Sequence, residues 1–273
     1  MRGLIAVLVV VAVLAAGAAG VLFFLQPWAG GVELHYVLSL PPDRAGSPKE
    51  AAAETAAVLE RRARAMGLGA SAVAAPDGRV RLRLAGLRPE DVGPYREAFE
   101  RKGRFEFLAT APKDVQDRYN ADGRLPAGYR IGRPDQVPRG EEYQAWSKGP
   151  VLLAEPPVVV TADVVRAEAD SQPGPAGFMG AVSLELAPKA AAAFDVLAKD
   201  LYNRRPEGMV AIVLDGRIVS MPVLRADAFG GRIHIAGAKD EREARSWAAA
   251  LAGGELPCLL RPPELGTYKG RLR

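Results

Sequence analysis

The chain has 273 residues, of which 49% are hydrophobic and 25% are charged, and its 36 Lys and Arg residues against 32 Asp and Glu give a formal net charge of +4. This composition is typical of folded proteins and excludes a largely disordered chain. Acidic and basic residues are interleaved along the sequence, so no nucleic-acid surface is predicted. With 1 Cys and 2 His, an internal disulfide is excluded, and neither a metal site nor a cofactor site is predicted.

The N-terminus contains a long apolar segment, from Gly3 to Leu25, without a charged residue. At about 1.5 Å of rise per residue it covers the roughly 30 Å hydrocarbon core of a bilayer. Arg2 precedes the segment, whereas the first basic residue after it is Arg44. The positive-inside rule then places the N-terminus in the cytoplasm. We therefore predict a signal-anchor over residues 1–29, with a single pass and a C-terminal domain outside the cytoplasm.

A cleaved signal peptide is the alternative interpretation of the same segment. Leu4 to Leu14 has the length of a signal-peptide core, and Ala15 to Gly20 offers small residues for cleavage. Against cleavage, the apolar sequence resumes at once over Val21 to Leu25, and Trp28 follows where an interfacial aromatic belongs. We therefore favour a retained anchor.

The next part of the chain alternates strand and helix patterns in the order βαββαβ. Period-two runs predict the strands, and helical spacing with Ser47 as N-cap and Gly67 as a stop predicts the first helix. The predicted strands are Val32–Leu40, Ala70–Ala75, Arg79–Leu84 and Arg104–Ala109, and the predicted helices are Lys49–Met66 and Pro89–Lys102. This order is that of a ferredoxin-like sheet with both helices on one face.

Three arginines alternate with apolar residues in one of these strands. Arg79, Arg81 and Arg83 would share one face of the sheet. That face is either an ordinary solvated surface or a patch for anionic lipid or an acidic partner.

A second unit follows a polar stretch, Ala111 to Pro150, that reads as a long linker. The clearest signal in this unit is Asp215-Gly216 between two apolar runs, which predicts a hairpin with a type I′ turn. A flexible Gly/Pro segment is predicted at Gln172 to Gly177. The predicted strands are Val151–Leu153, Val158–Ala167, Phe178–Leu186, Met209–Leu214, Arg217–Val223, Arg232–Ala236 and Glu255–Leu260, and the predicted helices are Pro188–Asn203 and Asp240–Ala252. The last strand is a candidate to return to the first unit's sheet, which would make the second unit an insertion.

From Ala211 onward the chain contains an "AIVLDG" run, a following proline, a Gly-Gly before a short strand ending in glycine, and a "GxLP" sequence after an Ala-rich helix. The signature residues are Asp215, Gly216, Pro222, Gly230, Gly231, Gly237, Gly254, Leu256 and Pro257. In these features the chain resembles the first periplasmic domain of the SecD family, a subunit of the SecDF complex of protein translocation. The resemblance implies an anchor in the bacterial inner membrane and a periplasmic C-terminal domain. Upstream, Gly30-Gly31, Met66-Gly67 and the "FEFL" run at Phe105 agree more loosely.

The resemblance implies a mixed α+β fold in which a ferredoxin-like base carries an inserted α+β head. The base would comprise residues 30–110, completed by about 255–273, and the head residues 111–254. The chain departs from the family at Pro27 to Ala29, where an acidic residue is expected, and at Ala198, where a threonine is usual. The further membrane helices that carry proton coupling in the family are also absent from this sequence.

The residues themselves offer no enzyme motif: there is no phosphate loop, no nucleophile elbow and no His beside a plausible nucleophile. The signature residues have structural explanations in turns and strand ends, so no catalytic residue is predicted. We expect a non-enzymatic accessory of protein export whose partners are the Sec translocon or a separate SecDF-type channel subunit, an unfolded secretory polypeptide and membrane lipid. The alternatives are an envelope interaction module with the same fold, or a chain shortened by gene decay or splitting.

Overall fold

The computed structural model of the protein describes residues 30–40, 47–75, 78–132, 150–174, 177–204 and 208–270. The predicted membrane anchor, Gly3 to Leu25, lies outside these residues. Within these ranges, no helix combines the length and the apolar character that a membrane crossing requires.

The first unit is a four-stranded antiparallel sheet with two helices against it. In chain order its elements are β1 (Gly31–Tyr36), β2 (Leu38–Ser39), α1 (Pro48–Ala65), β3 (Ala70–Ala74), β4 (Val80–Ala85) and α2 (Gly93–Glu100), and β15 (Glu264–Tyr268) joins them from the C-terminal end. The sheet order is β15-β1-β4-β3. Helix α1 begins with a reciprocal capping box between Ser47 and Glu50, which satisfies two of its free N–H groups. Its apolar face packs with Val32, Leu34 and Leu82 in the core of this unit.

The predicted fourth strand of this sheet belongs elsewhere. Strand β5 (Phe105–Ala109) leaves the first unit and pairs with strands of the second, and β15 takes its place beside β1. All residues of β5 are buried, so it needs a position that is covered on both faces. Strand β15 is mostly exposed and suits the edge of a sheet with one solvated face. Of the predicted Glu255–Leu260 strand, only β14 (Leu259–Leu260) forms, and it pairs with β2.

The second unit has two larger sheets and a small covering one. Its further elements are α3 (Lys113–Asp122), β6 (Tyr129–Gly132), β7 (Val151–Ala154), β8 (Val159–Val160), β9 (Val164–Gly174), β10 (Gly177–Leu186), α4 (Pro188–Asn203), β11 (Val210–Leu214), β12 (Arg217–Ser220), β13 (Arg232–Ala238) and α5 (Glu241–Gly253). The sheets have the orders β12-β11-β5-β8, β13-β10-β9 and β6-β7. The fold is therefore of the expected mixed α+β type. The chain passes from the first unit into the second and then returns to the first.

Both faces of the β5 sheet are buried. On one face Phe107 lies 4.8 Å from Phe105 and 5.2 Å from Phe194 of α4, measured between ring centroids. On the other face Leu108 packs with Val151 and Leu153 of the β6-β7 sheet. This double cover holds β5 in the second unit, and it argues for placing residues 105–110 there. The predicted boundaries of base and head otherwise stay a prediction.

Two stretches predicted as irregular contain regular structure. The expected linker Ala111–Pro150 contains α3 and β6, while residues 133–149 lie outside the described ranges. Helix α3 is mostly exposed and docks through a polar side chain: Gln116 accepts from the N–H of Leu152 at 2.9 Å and donates to the carbonyl of Pro150 at 3.2 Å. Its apolar periodicity is therefore weak. Most of the expected flexible segment Gln172–Gly177 pairs within the β9-β10 hairpin.

Candidate functional site

The chain crosses between the two units at two adjacent segments. It enters the second unit through residues 101–104 and returns through residues 254–256. The N–H of Leu256 donates to the carbonyl of Lys102 at 2.8 Å, and the side chain of Lys102 lies 3.4 Å from that of Glu255. The two crossing segments are therefore bonded to each other, and three signature residues, Asp215, Gly254 and Leu256, gather at this place.

A buried arginine, Arg62 of α1, binds both crossing segments at once. Its side chain is fully buried. It donates hydrogen bonds to the carbonyl oxygens of Ala98 (3.0 Å), Phe99 (3.1 Å), Arg101, Lys102 (3.0 Å) and Gly254 (2.7 Å). Burial lowers the pKa of the Arg62 guanidinium to about 9, while the charge of Asp215 acts in the opposite direction. The group therefore remains a cation at neutral pH, and a cation donates the stronger hydrogen bonds that these carbonyls require.

Glycines make room for the Arg62 side chain. A Cβ on Gly253 would lie 2.3 Å from Cγ of Arg62, and one on Gly103 would lie 2.5 Å from its Nη2. Gly254 follows with a φ of 89°, a left-handed conformation that glycine adopts without strain. The signature glycine Gly254 thus presents its carbonyl to Arg62 as well as ending α5.

Sequence reasoning missed Arg62 because it lies in an arginine-rich stretch that looks solvated. The available signal was its spacing. Arg62 follows Leu59, Val58 and Thr55 at three, four and seven residues, which are the intervals of one helix face, and all three are buried.

The predicted type I′ turn is confirmed and has a second role. Asp215 and Gly216 have φ angles of 53° and 81°, as that turn requires. The Asp215 carboxylate accepts a hydrogen bond from the backbone N–H of Arg104 at 2.8 Å. The backbone N–H of Asp215 donates to the carbonyl of Arg104 at 2.7 Å. Arg101 lies 3.7 Å from the same carboxylate. The turn is therefore attached to the first crossing segment.

The Gly-Gly pair packs against α4. Gly230 and Gly231 have φ angles of 59° and 77°. A Cβ on Gly231 would lie 2.8 Å from Cβ of Ala191. Asp195, which sequence reasoning also missed, accepts from the N–H of Phe229 at 2.7 Å and so fixes this loop to the helix.

Gly237 is the extra residue of a β-bulge. The pairing of β10 with β13 shifts between Ala236 and Ala238, leaving Gly237 between them at a φ of 126°. A Cβ there would lie 3.1 Å from the carbonyl oxygen of Val219 in β12, so glycine allows the two larger sheets to approach. Gly237 and Asp215 line the same cleft of about 200 Å³.

The remaining signature residues have local roles. The carbonyl of Pro222 accepts from the N–H of Val210 at 3.2 Å and continues the pairing of the hairpin. Leu256 is buried in the core of the first unit, and Pro257 lies in a bend before buried Cys258. The described ranges contain no cluster of residues suited to a metal ion.

The arginine face of the first sheet carries its own counter-charge. Glu33 of β1 lies 3.1 Å from Arg81 and 2.7 Å from Arg83, and His35 lies 2.9 Å from the same carboxylate. Arg83 also stacks over the ring of Tyr268 at 5.3 Å. Glu33 thus pairs with two of the three arginines of this face, which favours an ordinary solvated face, although one carboxylate leaves the face with a net positive charge.

The fold is a mixed α+β fold whose signature turns lie at and near the two crossing segments, and comparison with known proteins gives relatives for both the sequence and the fold. Residues 139–258 match the family model "SecDF, P1 head subdomain". The SecD subunit of Petrotoga mobilis is 26% identical over 243 residues, covering 84% of this chain and 48% of that protein. The SecD subunit of Streptomyces coelicolor is 35% identical over 78 residues, covering 29% of this chain and 14% of that protein. The SecDF subunit of Thermus thermophilus is 36% identical over 84 residues, covering 31% of this chain and 11% of that protein.

Solved structures agree on the fold. The crystal structure of SecDF in its super-membrane-facing form superposes with a TM-score of 0.56 at 23% identity, covering 95% of this chain and 35% of that one. A second structure, described as a membrane component SecDF that enhances protein export, superposes with a TM-score of 0.55 at 23% identity. The match covers 85% of this chain and 98% of that one. The chain spans half or less of the length of the curated relatives it matches. In sequence the chain is thus similar to SecD subunits, chiefly over residues 139–258, and in fold it is similar to SecDF.

Proposed function

We propose that this chain is an extracytoplasmic accessory of Sec-type protein translocation that contacts the polypeptide being exported. The observation that carries the proposal is the match of residues 139–258 to the head subdomain of SecDF, on a fold shared with SecDF structures. The curated relatives are translocase subunits, and one of the structures is described as enhancing protein export.

The physical form of the second unit supports polypeptide binding. It has sheet edges, such as that of β9, whose backbone groups can pair with another extended chain. Backbone pairing does not depend on the sequence of the bound chain, as a binder of many exported proteins requires.

The N-terminal segment supports a role in positioning. Gly3 to Leu25 contains no ionisable side chain, so as a membrane anchor it would hold the domain near the translocon without carrying protons. In this proposal the proton-coupled work is done by the Sec translocon's other subunits or by a separate SecDF-type channel subunit. Membrane lipid is a partner of the anchor alone.

Photo-cross-linking of a stalled export intermediate tests the proposal. A photoreactive residue is introduced at single exposed positions of the second unit, such as Glu185 on β10, Arg217 on β12 and Ala169 on β9, and a secretory protein is arrested in the translocon. We expect cross-links to the arrested chain at some of these positions. Cross-links only to resident envelope proteins at all of them would contradict the proposal and favour an envelope interaction module.

A further inference from the structure

A groove of about 580 Å³ opens between the two units. One wall is the edge strand β9, with Ala167 and Ala169. The other is made by the end of α1 at Ala65 and by Tyr95 and Ala98 of α2, while α5 closes the groove with Ser246. The side chains on both walls are mostly small, so the groove has room for a main chain that lies close to β9.

The backbone of β9 has a free side. In the described part of the chain, β9 pairs with β10 alone and forms the end of its sheet. An edge strand presents a row of N–H and C=O groups that only another extended backbone can satisfy in series. These groups select an extended polypeptide rather than a compact ligand or a helix.

The lining of the groove also contains a buried hydroxyl, that of Ser246 on α5. Ser246 is 3% exposed, and its hydroxyl has no hydrogen-bond partner among the described residues.

The charges at the rim do not select strongly for one sign. The lining contains Glu168 and Glu241 with Arg242 and Arg245, so acidic and basic residues are equal in number there. Glu241 pairs with Arg245 on α5, and Glu168 pairs with Arg166 on β9 at 2.6 Å. With this balance, side chains of either charge can lie at the rim, and the specificity of the groove rests on backbone pairing.

We propose that this groove binds an extended polypeptide segment as an added strand on the free edge of β9. The inference rests on the proposed function, which it deepens by naming the surface and the mode of binding. Because the walls come from both units, a bound strand contacts both, and its affinity depends on their relative position.

The proposal is tested by the binding of a labelled peptide to the full-length chain. The probe is a fluorescein-labelled peptide of alternating Val and Thr, and its control has N-methyl groups on the amides of one edge. Fluorescence anisotropy should show binding of the probe and weakening by about tenfold or more with the N-methylated peptide, since each factor of ten is only ~1.4 kcal/mol. Equal binding of both peptides, or none, would overturn the proposal.

Groove-filling variants locate the site. Ala65→Trp and Ala169→Trp place a bulky ring on opposite walls at exposed positions, so the fold should tolerate them. Both variants should bind the probe more weakly. The control Ala192→Trp, at an exposed position on α4 outside the groove, should bind it as the parent protein does. Unchanged binding in both groove variants overturns the proposal, as does a concentration-dependent dimer of the chain that competes with the peptide.

The outcome is separable from that of the proposed function. Cross-links from an arrested secretory chain to β10 or β12 but never to the groove would leave the proposed function standing and reject the groove. Absence of cross-links throughout the second unit would reject both.

Discussion

The most heavily bonded side chain at the junction of the two units is Arg62, which binds five backbone carbonyls from one buried position. Backbone carbonyls at the ends of helices have no partner within the helix, and burying them unpaired is costly. One guanidinium satisfies the end of α2 and the end of α5 together. Arg62 therefore attaches α1 to both crossing segments, and its neighbour Arg61 adds a hydrogen bond to the carbonyl of Gly253 at 3.0 Å.

Replacing Arg62 should destabilise the protein strongly. Arg62→Met removes the donor and leaves buried carbonyls unpaired, at a cost of at least about 3 kcal/mol in the free energy of unfolding. The control is Arg64→Met on the same helix, where the side chain is 64% exposed and pairs with Glu60. It should change stability by no more than about 0.5 kcal/mol. Urea denaturation measures both, and equal stabilities would refute the role assigned to Arg62.

A buried carboxylate gives the second unit a pH dependence. Glu106 of β5 is 2% exposed and lies 2.6 Å from Arg130 and 3.1 Å from Arg104. Burial by itself raises the pKa of Glu106, but the hydrogen bond and charge of Arg130, with a smaller effect of Arg104, lower it below its ordinary value. A carboxyl with a lowered folded-state pKa stabilises the fold above its unfolded-state pKa, near 4.3, and this contribution is lost as pH falls through the folded-state pKa.

Glu106→Gln should therefore destabilise the protein at pH 7 by about 1–3 kcal/mol, because the charged partners are left unpaired. The difference from the parent protein should shrink as the pH falls below about 4. Thermal unfolding from pH 7 to pH 3 measures this, with Glu185→Gln on the surface of β10 as the control. A difference that stays constant with pH would show that the Glu106 charge does not contribute.

Among the secondary-structure elements, the contact between β12 and β13 depends on the bulge at Gly237. Gly237→Ala places a methyl group 3.1 Å from the carbonyl of Val219 at a φ of 126°, which L-residues avoid. We expect a loss of about 1–3 kcal/mol. Gly266→Ala is the matched control in β15, where the methyl group would lie 3.7 Å from the carbonyl of Glu33. If the two variants unfold at the same temperature, the bulge does not need glycine.

The elements that sequence reasoning located correctly have strong local signals. The Asp215-Gly216 hairpin and helices α1, α4 and α5 follow from turn chemistry, caps and apolar spacing within a few residues. The sheet that β5 joins does not follow from such local signals, because it depends on the residues that cover the two faces of the strand. Its sequence, Phe105–Ala109, contains Glu106 among apolar residues, so the sequence alone does not show that both faces of this strand are covered. Helix α3 was missed because a polar side chain, Gln116, docks it.

The candidate site was predictable only in part. The signature residues were identified from their pattern, and their structural roles follow from left-handed φ angles at Gly216, Gly231 and Gly237. The spacing of Arg62 indicates its place on the buried face of α1, but Arg62 and Asp195 act on backbone groups distant in sequence, and no local pattern identifies those partners. The groove likewise exists only where residues of both units meet.

For the whole molecule, the C-terminal strand β15 completes the sheet of the first unit. It pairs with β1 from Gly31 to His35, so β1 is central only while β15 is present. Removing residues 261–273 should expose the β1 edge and lower Tm by about 5 °C or more, since 1 kcal/mol corresponds to roughly 2–4 °C in a domain of this size. Removing only residues 269–273 leaves the pairing intact and should change Tm little. Equal Tm values for the two truncations would show that β15 is dispensable.

Hydrogen–deuterium exchange on the full-length chain tests most directly the proposal that the second unit binds extended polypeptide. Exchange is compared with and without an excess of an unfolded secretory protein. We expect slower exchange in β9, because its free edge gains backbone partners, and around Tyr95 on the facing wall. Exchange in the distant strand β3 should be unchanged, which makes this strand an internal control. Exchange that is identical throughout the chain in the presence of the unfolded protein would contradict the claim.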